Sequence, residues 1–132
     1  MAKQYLALDV GERRIGVASA SSDVKIAVPG DWIDVDGKEL DIIREMLIDE
    51  SIDVLVVGYP RNQRGEPTAQ TRYVEDFVDS LGQIESEVVF QDESLTSVKA
   101  ENILLSQKRP YSKGEIDSMA ASIILQDYLE AQ

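Results

Sequence analysis

The sequence predicts an α/β fold: a mixed five-stranded sheet, in the element order βββαβαβαα, flanked by helices. Three observations carry this. A glycine-turned meander opens the chain, strand-like and helix-like apolar patterns then alternate, and a well-capped helix closes it.

Gln4 to Val10 (QYLALDV) is a short apolar run bounded by Gly11 and reads as a buried strand. After the turn Gly11 to Arg14, Ile15 to Ala20 returns as a second strand, and Lys25 to Trp32 follows as a third. Asp36 and Glu39 have capping-box spacing, which puts a helix N-cap at Asp36 ahead of Leu40, Ile43, Met46 and Leu47. Asp53 to Gly58 (DVLVVG) is apolar on both faces, as a central strand requires. A polar loop, Tyr59 to Glu66, leads to a helix starting near Pro67 and ending around Gly82. Glu87 to Gln91 (EVVFQ) is the fifth strand, and Thr96 to Gln107 a helix carrying Val98, Ile103, Leu104 and Leu105. Ser112 and Glu115 cap the last helix, whose apolar stripe is Ile116, Met119, Ala120, Ile123, Ile124 and Tyr128. With no repeat or linker, one domain over residues 1–132 is expected.

Composition narrows the chemistry. The chain has no cysteine and no histidine, which excludes disulfides, thiolate sites, cysteine nucleophiles and an imidazole base. Any metal site must use oxygen ligands, which suit Mg²⁺, Mn²⁺ or Ca²⁺. The N-terminal apolar stretch is too short for a membrane span or a signal peptide, so the expected compartment is the cytoplasm, with no membrane partner. The net charge of −12 runs against phosphate binding, which calls for a basic footprint. The basic residues nevertheless cluster. Arg13 and Arg14 follow the first strand, Arg61 and Arg64 the fourth, and Lys108, Arg109 and Lys113 precede the last helix. Acids dominate elsewhere, from Asp34 to Asp53, from Glu75 to Glu87 and in the tail. This reads either as a polarised molecule or as scattered surface salt bridges.

Three acids stand out: Asp9 near the end of the first strand, Glu93 just after the fifth, and Asp117 in the first turns of the last helix. Each has an ordinary explanation, as a turn residue, a strand end, or a complement to the helix dipole. Their shared placement is more informative. Strands one, four and five should run parallel, and ligands of such sheets bind beyond the carboxyl ends of the strands. Three converging carboxylates repel unless neutralised, and divalent cations neutralise them with hard oxygen ligands. A carboxylate-held metal pair is a standard device for in-line displacement at phosphorus, and it requires neither histidine nor cysteine.

Four blocks, LALDVGERRIGVA (6–18), VVGYPRNQRG (56–65), DESLTSVKAE (92–101) and IDSMAASIILQDYL (116–129), resemble in order the YqgF/RuvX family of RNase H-like proteins. That family is associated with pre-16S rRNA nuclease and Holliday junction resolvase-like roles. The resemblance implies an RNase H-like fold and a catalytic, metal-holding triad of Asp9, Glu93 and Asp117, with Asp9 bridging two Mg²⁺ or Mn²⁺ ions. It places the family's structural turn residues on Gly11, Gly16, Gly58 and Pro60. It implies substrate contacts by Arg61 and Asn62, steadied by Arg13 and Arg14, with Arg64 in the same group; Thr96 caps its helix or touches substrate. Ser94 stands where members commonly carry arginine, and the segment near Asp23 is less regular than theirs. Losing that arginine removes a bidentate partner beside Glu93.

The implied activity is hydrolysis of RNA phosphodiester bonds, at the 5′ end of pre-16S ribosomal RNA, with a pre-ribosomal particle as partner. Cleavage of branched DNA is the alternative, and two symmetric cuts would need a two-fold dimer; monomer and homodimer both stay open. A non-catalytic RNA- or protein-binding module also fits the acidity. An actin-like phosphotransferase needs a second domain, for which 132 residues leave no room.

Overall fold

The computed structural model describes residues 2–62, 64–93, 96–107 and 110–132, with the backbone alone for 96–98. Alternation along the first strand, β1 (Gln4–Val10), sorts its side chains onto two faces of the sheet. Leu6, Leu8 and Val10 enter one core, whereas Tyr5 and Ala7 enter another, and Asp9 follows Tyr5 and Ala7 onto their face. β2 (Arg14–Ser21) pairs antiparallel with β1 over its whole length, Asp9 opposite Gly16. β5 (Val54–Pro60) and β6 (Glu87–Glu93) run parallel to β1, in the order β2-β1-β5-β6. The carboxyl ends of β1, β5 and β6 therefore share one rim, as expected. β6 runs two residues further than expected, so Glu93 is its last residue and lies in register with Pro60.

The expected third strand, Lys25 to Trp32, is not continuous. Two short strands, β3 (Val28–Pro29) and β4 (Ile33–Asp34), pair separately with β2, which gives six strands among the described residues and not five. Pro29 has no N–H to continue a ladder and Gly30 follows it. Ile15 and Ala18 lie three positions apart on β2, while their partners Ile33 and Pro29 lie four apart, so one extra residue is absorbed as in a β-bulge.

Helix starts also differ from expectation. α1 (Glu39–Asp49) has Lys38 at its N-cap. Asp36 Oδ1 accepts from Lys38 N at 3.1 Å and Glu39 Oε1 from Gly37 N at 2.7 Å, so the two acids fold the preceding turn. α2 (Ala69–Ser80) is capped by Thr68, which exchanges hydrogen bonds with Thr71; Pro67 lies outside the helix, bridged to Arg61. α1 and α2 supply Ile43, Leu47 and Val74 to the first core. In α3 (Thr96–Ser106) Ala100 and Leu104 are buried while Ile103 and Leu105 are exposed.

α4 (Lys113–Glu130) crosses β2 and β1 on the other face, with Ser112 accepting from Glu115 N as expected. Its buried side differs from the expected stripe. Ser118, Ala120, Ala121, Ser122, Ile124, Leu125 and Leu129 are buried, while Ile116, Met119, Ile123 and Tyr128 are only half-buried. Small residues let the helix backbone lie directly on the strand. A Cβ at Gly16 would overlap the carbonyl of Asp117, and one at Gly114 would enter the Trp32 ring. Gly16→Ala should therefore displace α4 and cost about 3 kcal/mol or more, read as a lower urea midpoint at unchanged m. Among the described residues no helix is long and apolar enough to cross a membrane.

Candidate active site

The rim places the three acids at one corner between the sheet and α4. Asp9 and Glu93 reach it from β1 and β6, on the sheet face that α4 covers, with Gly58 of β5 between their strands. Gly58 must lack a side chain, because a Cβ there would press on Glu93 Oε2 and on Ile124. Asp117 reaches the corner from α4, held in depth by the close approach at Gly16 and by Ser118 Oγ, which accepts from Val17 N at 3.3 Å. All three acids are half-buried as residues, with Glu93 Oε2 itself closed off from solvent.

The electrostatics fit a site built for cations. Burial raises the Asp9 pKa well above the ordinary carboxylate range, and the charges of Glu93 and Asp117 and a hydrogen bond to Glu93 raise it further. Burial also raises the Glu93 pKa, with the bond from Asp9 acting in the opposite direction. The pair thus resists carrying two full negative charges. Glu93 Oε2 is buried without a hydrogen-bond partner, an acceptor left facing the corner. Asp117 takes a different neutraliser: Arg14 Nε donates to its Oδ2 at 2.8 Å. Among the described residues no three acids are already closed around a common point. The donor set suits Mg²⁺ or Mn²⁺: all oxygen, two carboxyls crowded together, an orphaned acceptor and a third carboxylate on a displaceable arginine.

The expected substrate residues are less uniformly placed. Asp92 precedes Glu93 and so points to the opposite face of the sheet. Arg61 goes with it, pairing with Asp92 Oδ1 at 3.4 Å and lying 4.9 Å over the Tyr59 ring. Asn62 shapes its own loop, its Oδ1 accepting from Arg64 N and Glu66 N at 2.9 Å each. Arg13, Arg64 and Lys113 are exposed. Gly11 N closes the first turn onto Arg14 O at 3.1 Å, and the Pro60 carbonyl accepts from Thr71 Oγ1. Ser94, Lys108 and Arg109 lie outside the described residues, as does the side chain of Thr96. Sequence reasoning missed Ser118 and the Trp32–Gly114 contact that seats α4. The spacing of Ser118, Ala121, Ser122 and Leu125, opposite a glycine-containing strand, was the available signal.

Residues 3–131 match the family model described as "RuvX: Holliday junction resolvase". A protein of Chloroflexus aurantiacus named "Putative pre-16S rRNA nuclease" is 45% identical, the match covering 96% of this chain and 86% of the relative. A Synechocystis protein of the same name is 38% identical over 95% of this chain and 86% of its own length. Among solved structures, Thermus thermophilus RuvC bound to a Holliday junction aligns with a TM-score of 0.61 at 14% identity, covering 97% of this chain and 94% of that one. Fowlpox virus resolvase with Holliday junction DNA aligns with a TM-score of 0.58 at 10% identity, over 97% of each chain. Those two likenesses show the RuvC-like, RNase H-type fold. From end to end, the sheet order, the acidic corner and 129 consecutively spanned positions place this chain in the RuvX family.

Proposed function

We propose that the chain is a divalent-metal-dependent nuclease of one RNase H-like domain that hydrolyses phosphodiester bonds in RNA, with the 5′ end of pre-16S ribosomal RNA in the cytoplasm as its substrate. The observation that carries this is the convergence of the Asp9 and Glu93 carboxyls, whose burial and mutual repulsion raise the Asp9 pKa, beside an unpartnered Glu93 oxygen. A corner whose burial and mutual repulsion disfavour its own negative charge is one that a cation would relieve. The names of the 45% and 38% identical relatives favour ribosomal RNA over other substrates.

Asp9, Glu93 and Asp117 would hold Mg²⁺ or Mn²⁺, which when bound supply an activated water and neutralise charge developing at phosphorus. The remaining work belongs to the chain. Gly16 and Gly58 keep the corner open, Ser118 fixes the depth of Asp117, and Arg14 lies within reach of the same corner. Arg13 and Arg64 lie exposed in the turn and loop that flank the rim, where they would contact the nucleic-acid backbone, with Asn62 shaping that loop and Arg61 joining them by leaving Asp92.

Holliday junction cleavage is the second reading, favoured by the family description and the fold of the aligned resolvases. A Mn²⁺-dependent cleavage panel of precursor ribosomal RNA, unstructured RNA and four-way DNA junctions separates the two. The precursor RNA should be cut by wild type and left intact by Asp117→Asn. Cleavage of junctions alone, by a dimer, would transfer the assignment to DNA. Strong RNA binding without cleavage in any metal would identify a non-catalytic module.

A further inference from the structure

The bulge that divides the expected third strand has a second consequence. Beside it the β2 edge is incompletely covered, and a groove of about 490 Å³ opens between the segment Gly30–Asp36 and α1. Its floor is apolar, reaching Leu6 and Val17 of the first core. Trp32 and Ile42 flank it, 37% and 39% exposed. Its charged lining residues are Asp31, Asp34, Asp36 and Glu50, with no lysine or arginine among those that line it. Leu6 and Val17 belong to the sheet face covered by α1 and α2, opposite the face that carries Asp9 and Glu93.

We propose that this groove docks a basic segment of a partner protein: an extended lysine- and arginine-rich stretch that seats an aliphatic side chain against Ile42 and Met46. Charge selects the occupant. Four carboxylates around an apolar floor repel a phosphate backbone, and a second copy of a chain of net charge −12 is disfavoured as well. A single metal ion does not fit either. The acids sit on separate segments, a loop, β4 and the residue after α1, and not around one point. A line of separated cations matches that spacing, and the apolar floor gives it an anchor. Because the groove and the acidic corner lie on opposite faces, a peptide and a nucleic acid can be held together. The groove would thus bring a nuclease that carries excess negative charge to a partner with a basic tail.

Trp32 is the chain's single tryptophan and lies at the rim of the groove, its ring against Gly114 of α4. The probe is a short tryptophan-free peptide of alternating arginine, lysine and leucine, titrated against the full chain while Trp32 emission is followed. Asp31→Asn, Asp34→Asn and Glu50→Gln together should weaken binding about tenfold. Asp36 is left in place because its carboxylate folds the turn before α1. Asp76→Asn, Asp79→Asn and Glu85→Gln remove the same charge from exposed positions outside the groove and should leave affinity unchanged. Ile42→Ser should weaken the leucine-containing peptide and not a lysine-only one. Equal weakening by the two charge triples would reduce the effect to the general field and overturn the proposal. So would spermine binding as tightly as the peptide, or self-association of the free chain through Ile42. RNA cleavage by all of these variants should match wild type, so the proposal and the nuclease assignment stand or fall separately.

Discussion

Asp9→Asn should lower metal-dependent cleavage by about 10³-fold or more while making the metal-free protein more stable above mildly acidic pH. The two effects share a cause. In the folded chain the Asp9 pKa is raised, chiefly by burial and then by Glu93, relative to about 3.9 in the unfolded chain. Between those two values the native state holds a proton that the unfolded state has released. The unfolded state then binds fewer protons, so stability falls as pH rises from about 4 through the folded pKa. It is fully present only below the unfolded value. Asparagine has no such proton and no charge to desolvate. Metal-free wild type and Asp9→Asn should therefore melt at similar temperatures near pH 4, with the gap widening in favour of the variant as pH rises. Saturating Mn²⁺ should reverse the ranking, because only wild type gains the binding free energy of the ions. A variant with the same melting profile as wild type at every pH would remove Asp9 from the buried pair, whatever happened to cleavage.

The acids were legible in the sequence because topology constrains them. An acid at the carboxyl end of a parallel strand can only sit on the rim, and Asp9 and Glu93 do. The strands were legible for a related reason, since DVLVVG and QYLALDV leave little alternative to burial. The third strand misled because Val28 and Trp32 continue an apolar pattern through Pro29 and Gly30, and hydrophobicity does not register a missing N–H or an extra residue. The face of α4 misled for the opposite reason. Ser118, Ala121 and Ser122 lie deepest because they are small, and a hydrophobic stripe gives weight to size. The arginines were the least legible. No periodicity governs a flexible charged side chain, so only the folded structure shows Arg14 turned to Asp117 and Arg61 turned away with Asp92.

That placement of Arg14 leads to a prediction with an unusual sign. Asp117 cannot give both its oxygens freely to a metal while Arg14 Nε donates to Oδ2 at 2.8 Å. The guanidinium also contributes a positive charge that opposes a second cation at the same corner. If Arg14 is a stand-in for the metal, Arg14→Gln should bind Mn²⁺ about threefold to tenfold more tightly, as removal of one nearby unit charge at a partly solvated site predicts. Metal-free stability should fall by about 1–2 kcal/mol, because Asp117 loses a charge-assisted hydrogen bond while Asp9 and Glu93 remain beside it. Turnover should nevertheless drop, since the arginine released from Asp117 is then missing from the substrate phosphate. Arg14→Lys, which keeps the charge without the planar fork, should return metal affinity towards wild type and recover only part of the turnover. Calorimetric titration of Mn²⁺ decides the sign. Weaker binding by Arg14→Gln would mean that the arginine holds Asp117 in its metal-ready position instead of competing for it.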